Sequence, residues 1–335
     1  MSRVYVLSAA PERPSTPYAR SELEAMRLLA QRDRFGVHSL VESPEEADLI
    51  LYVEHSTDAG AYFQDVRKHP VYRRYKPRCY LFSSTDRVIP FLPGVYAAIE
   101  QSWYRSSWVR SGPYLRIGAD QPALPPAEPG AARYLFSFVG TRHSAPVRKQ
   151  IVALEHPRAL IRDTSAANHN SLAPAEYAET VGRSAFVLCP RGGATATFRL
   201  FETLMMGRVP VIISDQWTPP PGPDWASFSV RVAESEVGQI PALLEALEGQ
   251  APAMGERARE VWDEWFAADV LFHRVVESCL AIEREAGSRS PLMPLFPYLQ
   301  LLRPYHTLRW LARNLGHGSW RVPRWLYKLL RVPTA

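Results

Sequence analysis

Cysteine is nearly absent from this chain: Cys79, Cys189 and Cys279 are the only 3 in 335 residues, about a hundred positions apart and with no CxxC pair. An odd, scattered set excludes a disulfide framework and a four-cysteine zinc site, and it suits a reducing cytosol. Long apolar runs are missing as well. No stretch reaches the roughly 18 uncharged apolar residues of a spanning helix. The opening run Val4–Leu7 is too short for the apolar region of a secretion signal, so a cytoplasmic protein is expected. Several sequence signatures are lacking: GxxxxGK[ST], a GxGxxG after the first apolar run, GxSxG and HExxH. Their absence argues against a P-loop triphosphatase, a dinucleotide-dependent enzyme, a nucleophile-elbow hydrolase and a zinc protease of the HExxH type.

What is there is an ordinary globular balance, 46% hydrophobic and 22% charged, long enough for about two domains. The 30 prolines and 18 glycines follow no fixed period and punctuate loops. Residues 1–118 read as alternating strands and helices, with strands at Val4–Leu7, Leu49–Tyr52 and Arg78–Phe82 and helices near Ser21–Arg34 and Ala61–Lys68. Residues 119–132, rich in proline and alanine, read as a linker. A second alternation fills 133–253, with strands at Tyr134–Val139, Ala159–Ile161, Ala185–Leu188, Val209–Ile213 and Ser229–Val232. One long helix, about Met254–Glu285, is expected to pack back toward the first domain within 254–290. The expected fold is therefore α/β, two Rossmann-like domains with parallel sheets facing a central cleft. The remainder, 291–335, interleaves aromatic and aliphatic residues with seven cations and no acid, leaving the rest of the chain at about −2 of the net +5. That makes this helical, amphipathic tail the candidate for an anionic membrane surface, or else a basic face packed on the first domain. No nucleic-acid partner is expected.

The chemistry concentrates in Ser184–Asp215. A buried strand ends at Cys189, the loop Pro190, Arg191, Gly192, Gly193 and Ala194 follows, and Thr195 or Thr197 can cap the next helix. Such a glycine-rich turn offers free backbone N–H groups at the positive end of a helix dipole, a place for a diphosphate. Arg199, in the first helical turn, can reach that diphosphate with its planar fork of donors. Glu202 shares the helix face and can accept hydrogen bonds from the two hydroxyls of a ribose, unless the pair is only a surface i,i+3 ion pair. A second turn, Gly140–Pro146, with Ser144 as N-cap, places Gly140, Arg142 and Arg148 for contact with phosphate or a transferred group. Asp215 follows a strand toward the same cleft. In the first domain, Glu54, His55 and Asp58 follow one strand and Asp86 follows the next, each a candidate general base with Asp86 ranked first. No two aspartates stand as D-x-D, so no metal ligand set and no cofactor is expected.

Three runs carry a resemblance to a known family. They are Tyr177-x5-Arg183-Ser184-x-Phe186-x-Leu188-Cys189-Pro190-Arg191-Gly192, then Phe198-Arg199-Leu200-Phe201-Glu202-x4-Gly207-x-Val209-Pro210-Val211-Ile212-Ile213-Ser214-Asp215, then Asp224-Trp225-x-x-Phe228-Ser229-Val230. Together they resemble the exostosin family, glycosyltransferase family forty-seven, over about residues 134–250. The resemblance implies a GT-B fold and inverting transfer of a sugar from a nucleotide diphosphate, usually UDP, to a glycan or lipid-linked glycan. It implies that Arg199 holds the diphosphate and Glu202 the ribose. The family often has serine where Thr197 stands, which keeps the hydroxyl. A silent sugar-nucleotide or glycan-binding protein that kept only the donor site is the alternative.

Overall fold

The computed structural model describes residues 1–10, 17–55, 63–86, 88–115, 126–127, 132–165, 174–288 and 292–299. Most of the expected linker, Asp58, and the tail beyond 299 therefore lie outside the described residues.

The first domain is built on six strands, β1 (Ser2–Leu7), β2 (His38–Leu40), β3 (Leu49–Val53), β4 (Cys79–Ser83), β5 (Gly94–Tyr96) and β6 (Val109–Ser111), in the order β2-β1-β3-β4-β5-β6. The second has β7 (Tyr134–Gly140), β8 (Ala159–Asp163), β9 (Ser184–Pro190), β10 (Val209–Ile213) and β11 (Val230–Arg231), in the order β11-β10-β9-β7-β8. Every pairing in both sheets is parallel. Strands β3, β4, β9 and β10 are buried along their whole length, as apolar runs covered by helices on both faces must be. Helices α1 (Pro17–Arg32), α2 (Gln64–Lys68) and α3 (Pro70–Tyr75) serve the first sheet. The second is served by α4 (Pro146–Val152), α5 (Pro174–Gly182), α6 (Phe198–Met205), α7 (Ile240–Leu247) and α8 (Ala251–Val261). This is the expected GT-B architecture of two Rossmann-like domains.

In each sheet the strand order reverses once, between β1 and β3 in the first domain and between β7 and β9 in the second. Loops leaving neighbouring strands at such a point diverge to opposite faces and open a crevice at the carboxyl ends, where ligands bind. The domains meet there. The Tyr114 ring stacks on Phe198 at 4.0 Å between centroids, Gln101 N–H donates to Gln216 O at 2.8 Å, and Ser111 Oγ donates to Thr218 O at 2.7 Å.

The single helix expected over Met254–Glu285 is instead two. Helix α8 ends at Val261, a π turn covers Trp262–Phe266, and a further helix, α9 (Leu271–Arg284), starts afresh after an extended Ala267. No proline or glycine breaks it. Trp262 and Phe266 are buried in the second domain's core, whereas Leu271, Phe272, Val275, Val276, Cys279 and Ile282 are buried among β1, β3 and α1. One straight helix cannot face two cores in different domains, so packing overrides local propensity. The described start of the tail also lies on the first domain: Arg67 Nη1 donates to Tyr298 Oη at 2.7 Å, and the Tyr298 ring meets Phe91 edge-on at 5.0 Å.

Candidate functional site

The loops after β7 and β9 flank the second domain's switch point, and Arg148 on α4 ties them together. Its guanidinium donates to Arg191 O at 2.8 Å, Pro190 O at 3.3 Å and Thr141 O at 3.4 Å. Arg199, from the first turn of α6, donates through Nη2 to Val139 O. The two guanidiniums converge above Gly140, where an added Cβ would stand 2.9 Å from Arg199 Nη2 and 3.5 Å from Arg148 Nη1. Only glycine leaves them that space. Both cations lie over the Phe138 ring, at 4.8 and 5.8 Å from its centroid. Burial, with the Arg199 charge added, lowers Arg148 to about 9.

Buried polar atoms around this point lack partners. Arg199 Nε and Nη1, Ser144 Oγ and Thr195 Oγ1 are all closed off from water without a hydrogen bond among the described residues. Each such group costs about 1–3 kcal/mol until something satisfies it. Neither Arg148 nor Arg199 makes an ion pair with a described carboxylate. Two uncompensated cations ringed by open donors, at the amino end of α6, form a receptor for a multiply charged oxyanion.

Glu202 lies one turn further along α6. Tyr177 Oη donates to its Oε2 at 2.7 Å, and burial raises its carboxyl above the ordinary range. No ion pair joins it to Arg199, so the surface-pair alternative does not hold. The same burial pushes the Cys189 thiol up to about 12, which removes it as a nucleophile.

Other expected ligand residues are spent on the scaffold. Arg191 Nε donates to Glu234 Oε1 at 2.7 Å, while Glu234 N–H donates to Asp215 Oδ1 at 3.0 Å and Asp215 N–H back to Glu234 Oε1 at 3.3 Å. These three brace the loops after β9 and β10, and Glu234 is the member sequence reading missed. Arg142 is exposed and paired to Asp163 at 3.3 Å. Gly192 does belong to the site, since a Cβ there would lie 3.2 Å from Arg148 Nη2; Gly193 faces the other domain. Thr197 is the N-cap of α6 without a side-chain cap bond. Ser144 is not the N-cap of α4. Pro146 holds the residue before it extended, so Ala145 takes that position and the Ser144 hydroxyl is left open to the site.

In the first domain, Asp86 is exposed in the loop after β4, and its Oδ2 lies 3.7 Å from a Cβ placed on Gly193. It thus stands across the cleft from the glycine-rich turn. The loop is set by Ser83 Oγ, which donates to Thr85 Oγ1 at 2.9 Å and accepts the Thr85 N–H at 3.2 Å. Burial, with the Asp86 charge added, pushes the neighbouring Tyr114 hydroxyl well up. Glu54 differs from expectation. Its side chain is wholly buried and accepts hydrogen bonds from Ser8 Oγ at 2.9 Å and from Ala9 N–H, which anchors the loop after β1 and keeps the carboxylate from the cleft. His55 is half-buried beside it.

Similar proteins are known. The Exostosin-1 homolog of Caenorhabditis elegans is 41% identical over 93 residues, 27% of this chain and 24% of that protein. Exostosin-1 of Drosophila melanogaster is 23% identical over 193 residues, 51% of this chain and 25% of that protein. The chain thus spans about a quarter of the length of these relatives. Among solved structures, Acinetobacter baumannii MurG is 10% identical with a TM-score of 0.36, covering 84% of this chain and 99% of its own. The family model of the Exostosin GT47 domain matches residues 100–247, which include the Gly140 turn, the Pro190–Thr197 loop, Arg148, Arg199 and Glu202. Residues 100–247 of this chain are thus similar to the Exostosin GT47 domain.

Proposed function

We propose that the protein is a glycosyltransferase that moves a sugar from a nucleotide diphosphate, a UDP-sugar, to a hydroxyl of a glycan or lipid-linked glycan, with inversion and without a metal ion. The observation that carries the reading is the convergence of Arg148 and Arg199 above Gly140, ringed by buried donors without partners. Arg199 and the backbone N–H groups before α6 hold the diphosphate and take up the charge that develops as it leaves. Arg148 acts as a positioning residue, locking the two loops while adding its charge. Glu202 accepts from the ribose hydroxyls with the oxygen Tyr177 does not use. Asp86 removes the proton of the acceptor hydroxyl as its oxygen attacks the anomeric carbon from the face opposite the leaving UDP. The two fixed cations supply the stabilisation that a chelated divalent ion gives in metal-dependent transferases.

Calorimetry with UDP and UDP-sugars, without added metal, tests this on the wild type and Glu202→Gln. Saturable binding is expected for the wild type, weakened by about 1.5–3 kcal/mol in the variant, the scale of hydrogen bonds to a charged group. Stability moves the other way. Because burial raises the Glu202 carboxyl, its charge opposes folding at pH above the raised value and not at pH below the ordinary one. Glutamine still accepts from Tyr177, so the ligand-free variant should melt higher than wild type at neutral pH and no differently in acid. Absence of UDP binding by the wild type would remove the proposal, and UDP binding without turnover on any sugar donor would favour the silent binding protein.

The acceptor would be met at the cytoplasmic face of a membrane. Supporting this are the seven cations of 291–335, the exposed Leu292, Leu295 and Tyr298 at its start, and three free, buried cysteines. No helix among the described residues is long and apolar enough to cross a membrane. Flotation with anionic vesicles should carry the full chain but not one ending at Ser290, and equal partition would refute the membrane contact.

A further inference from the structure

A second cluster with ligand chemistry lies far from the oxyanion receptor in the fold. His38 opens β2 beside Ser2 of β1, at the amino ends of the first sheet's strands, whereas the cleft is at their carboxyl ends. Helix α9 (Leu271–Arg284) passes this edge and presents His273 and Glu277, one helical turn apart and so on one face. One ligand atom from each of the three residues can be chosen so that all lie within 4.8 Å of one another. His38 Nε2 is 3.2 Å from Glu277 Oε1, and the two imidazole centroids are 5.1 Å apart.

The surroundings favour an ion over a hydrogen-bonded triad. The His38 side chain is only 1% exposed, and while its Nε2 faces Glu277, its Nδ1 and Nδ1 of His273 are buried without a hydrogen-bond partner among the described residues. Phe35 stacks on His273 at 4.2 Å and fixes its plane. Two neighbouring arginines turn elsewhere: Arg34 pairs with Asp269 at 3.6 Å, and Arg274 donates to Glu264 O at 3.0 Å while lying over Trp265. Arg284 approaches Glu277 only through Oε2, at 3.6 Å, leaving Oε1 toward His38.

We infer that His38, His273 and Glu277 form a binding site for one zinc-like divalent transition-metal ion that clamps α9 to the edge of the first sheet. Ligands at about 2.0–2.1 Å from a tetrahedral zinc stand about 3.3 Å from each other, which the His38–Glu277 pair already meets and His273 reaches by a small side-chain movement. Two imidazoles with one carboxylate select zinc, cobalt, nickel or copper over magnesium and calcium, which prefer oxygen alone. The ion sits away from the donor loops, so it adds to stability and leaves the metal-free chemistry proposed above untouched.

The test uses the full, tag-free chain after chelator treatment. Zinc titrated by calorimetry should bind at one ion per chain and raise the melting temperature, magnesium should do neither, and cobalt should give the visible absorption of a low-coordinate nitrogen–oxygen site. His273→Ala and Glu277→Gln lie at partly exposed positions and should fold. Each should weaken zinc by at least about tenfold and abolish the melting shift, with UDP binding unchanged. A natively folded wild type that binds neither zinc nor cobalt, or variants that bind zinc as tightly as wild type, would overturn the site.

Discussion

Asp86→Asn should lower turnover by about two to four orders of magnitude, the contribution of a positioned general base, while UDP binds as it does to the wild type. The two quantities separate because Asp86 and the oxyanion receptor stand on opposite walls of the cleft. Arg199, Arg148 and the amino end of α6 form one wall. Asp86, on the other, reaches within 3.7 Å of where a side chain on Gly193 would begin. Under the proposed inverting mechanism, base and leaving group belong on opposite sides of the anomeric carbon, one assigned to each wall. Asparagine has the same shape and the loop is set by Ser83 and Thr85, so the melting temperature should hold. Steady-state kinetics with a responsive acceptor, beside calorimetry with UDP, decides the matter. Full turnover in the variant would move the base to His55 or Asp58.

Arg199→Ala should cost about 1.5–3 kcal/mol of UDP affinity, as a charged hydrogen-bond partner does, and a further factor of about 10²–10³ in turnover, because the charge on the departing diphosphate grows in the transition state. Uridine, which lacks the diphosphate, should bind both proteins alike. Arg199→Lys should fall between, keeping the charge but losing the planar fork that donates to Val139 O and leaves Nε and Nη1 for ligand. Equal losses for uridine and UDP would mean that Arg199 only shapes the pocket. The proximity of the two cations also implies that removing one relaxes the other, so in Arg199→Ala the depressed Arg148 should return toward its ordinary range.

The geometry around Gly140 and α6 was legible because local rules govern it. A strand, a glycine turn and a helix in succession put backbone donors in one place, and the spacing of Arg199 and Glu202 is fixed by the helix itself. What could not be read is what depends on distant partners. Arg191 and Asp215 look free along the chain, but Glu234 engages both. Glu54 sits after a strand as a base would, yet Ser8 and Ala9 draw it inward. Strands β2, β5 and β6 span three residues each, too few for any periodicity, and only their neighbours in the sheet define them. The break after Phe266 leaves no mark in composition, because two cores rather than a proline impose it.

That break also decides what counts as a module. The first domain is discontinuous: residues 1–115 close their core only with six side chains supplied by α9, more than 150 positions later in the chain. Residues 100–247, the part shared with relatives, stop short of that helix. A chimera that grafts the amino-terminal half onto another donor domain at the proline-rich linker would leave a greasy trough over β1, β3 and α1. An exchange of this half can therefore keep its core closed only if the returning helix travels with the half it completes.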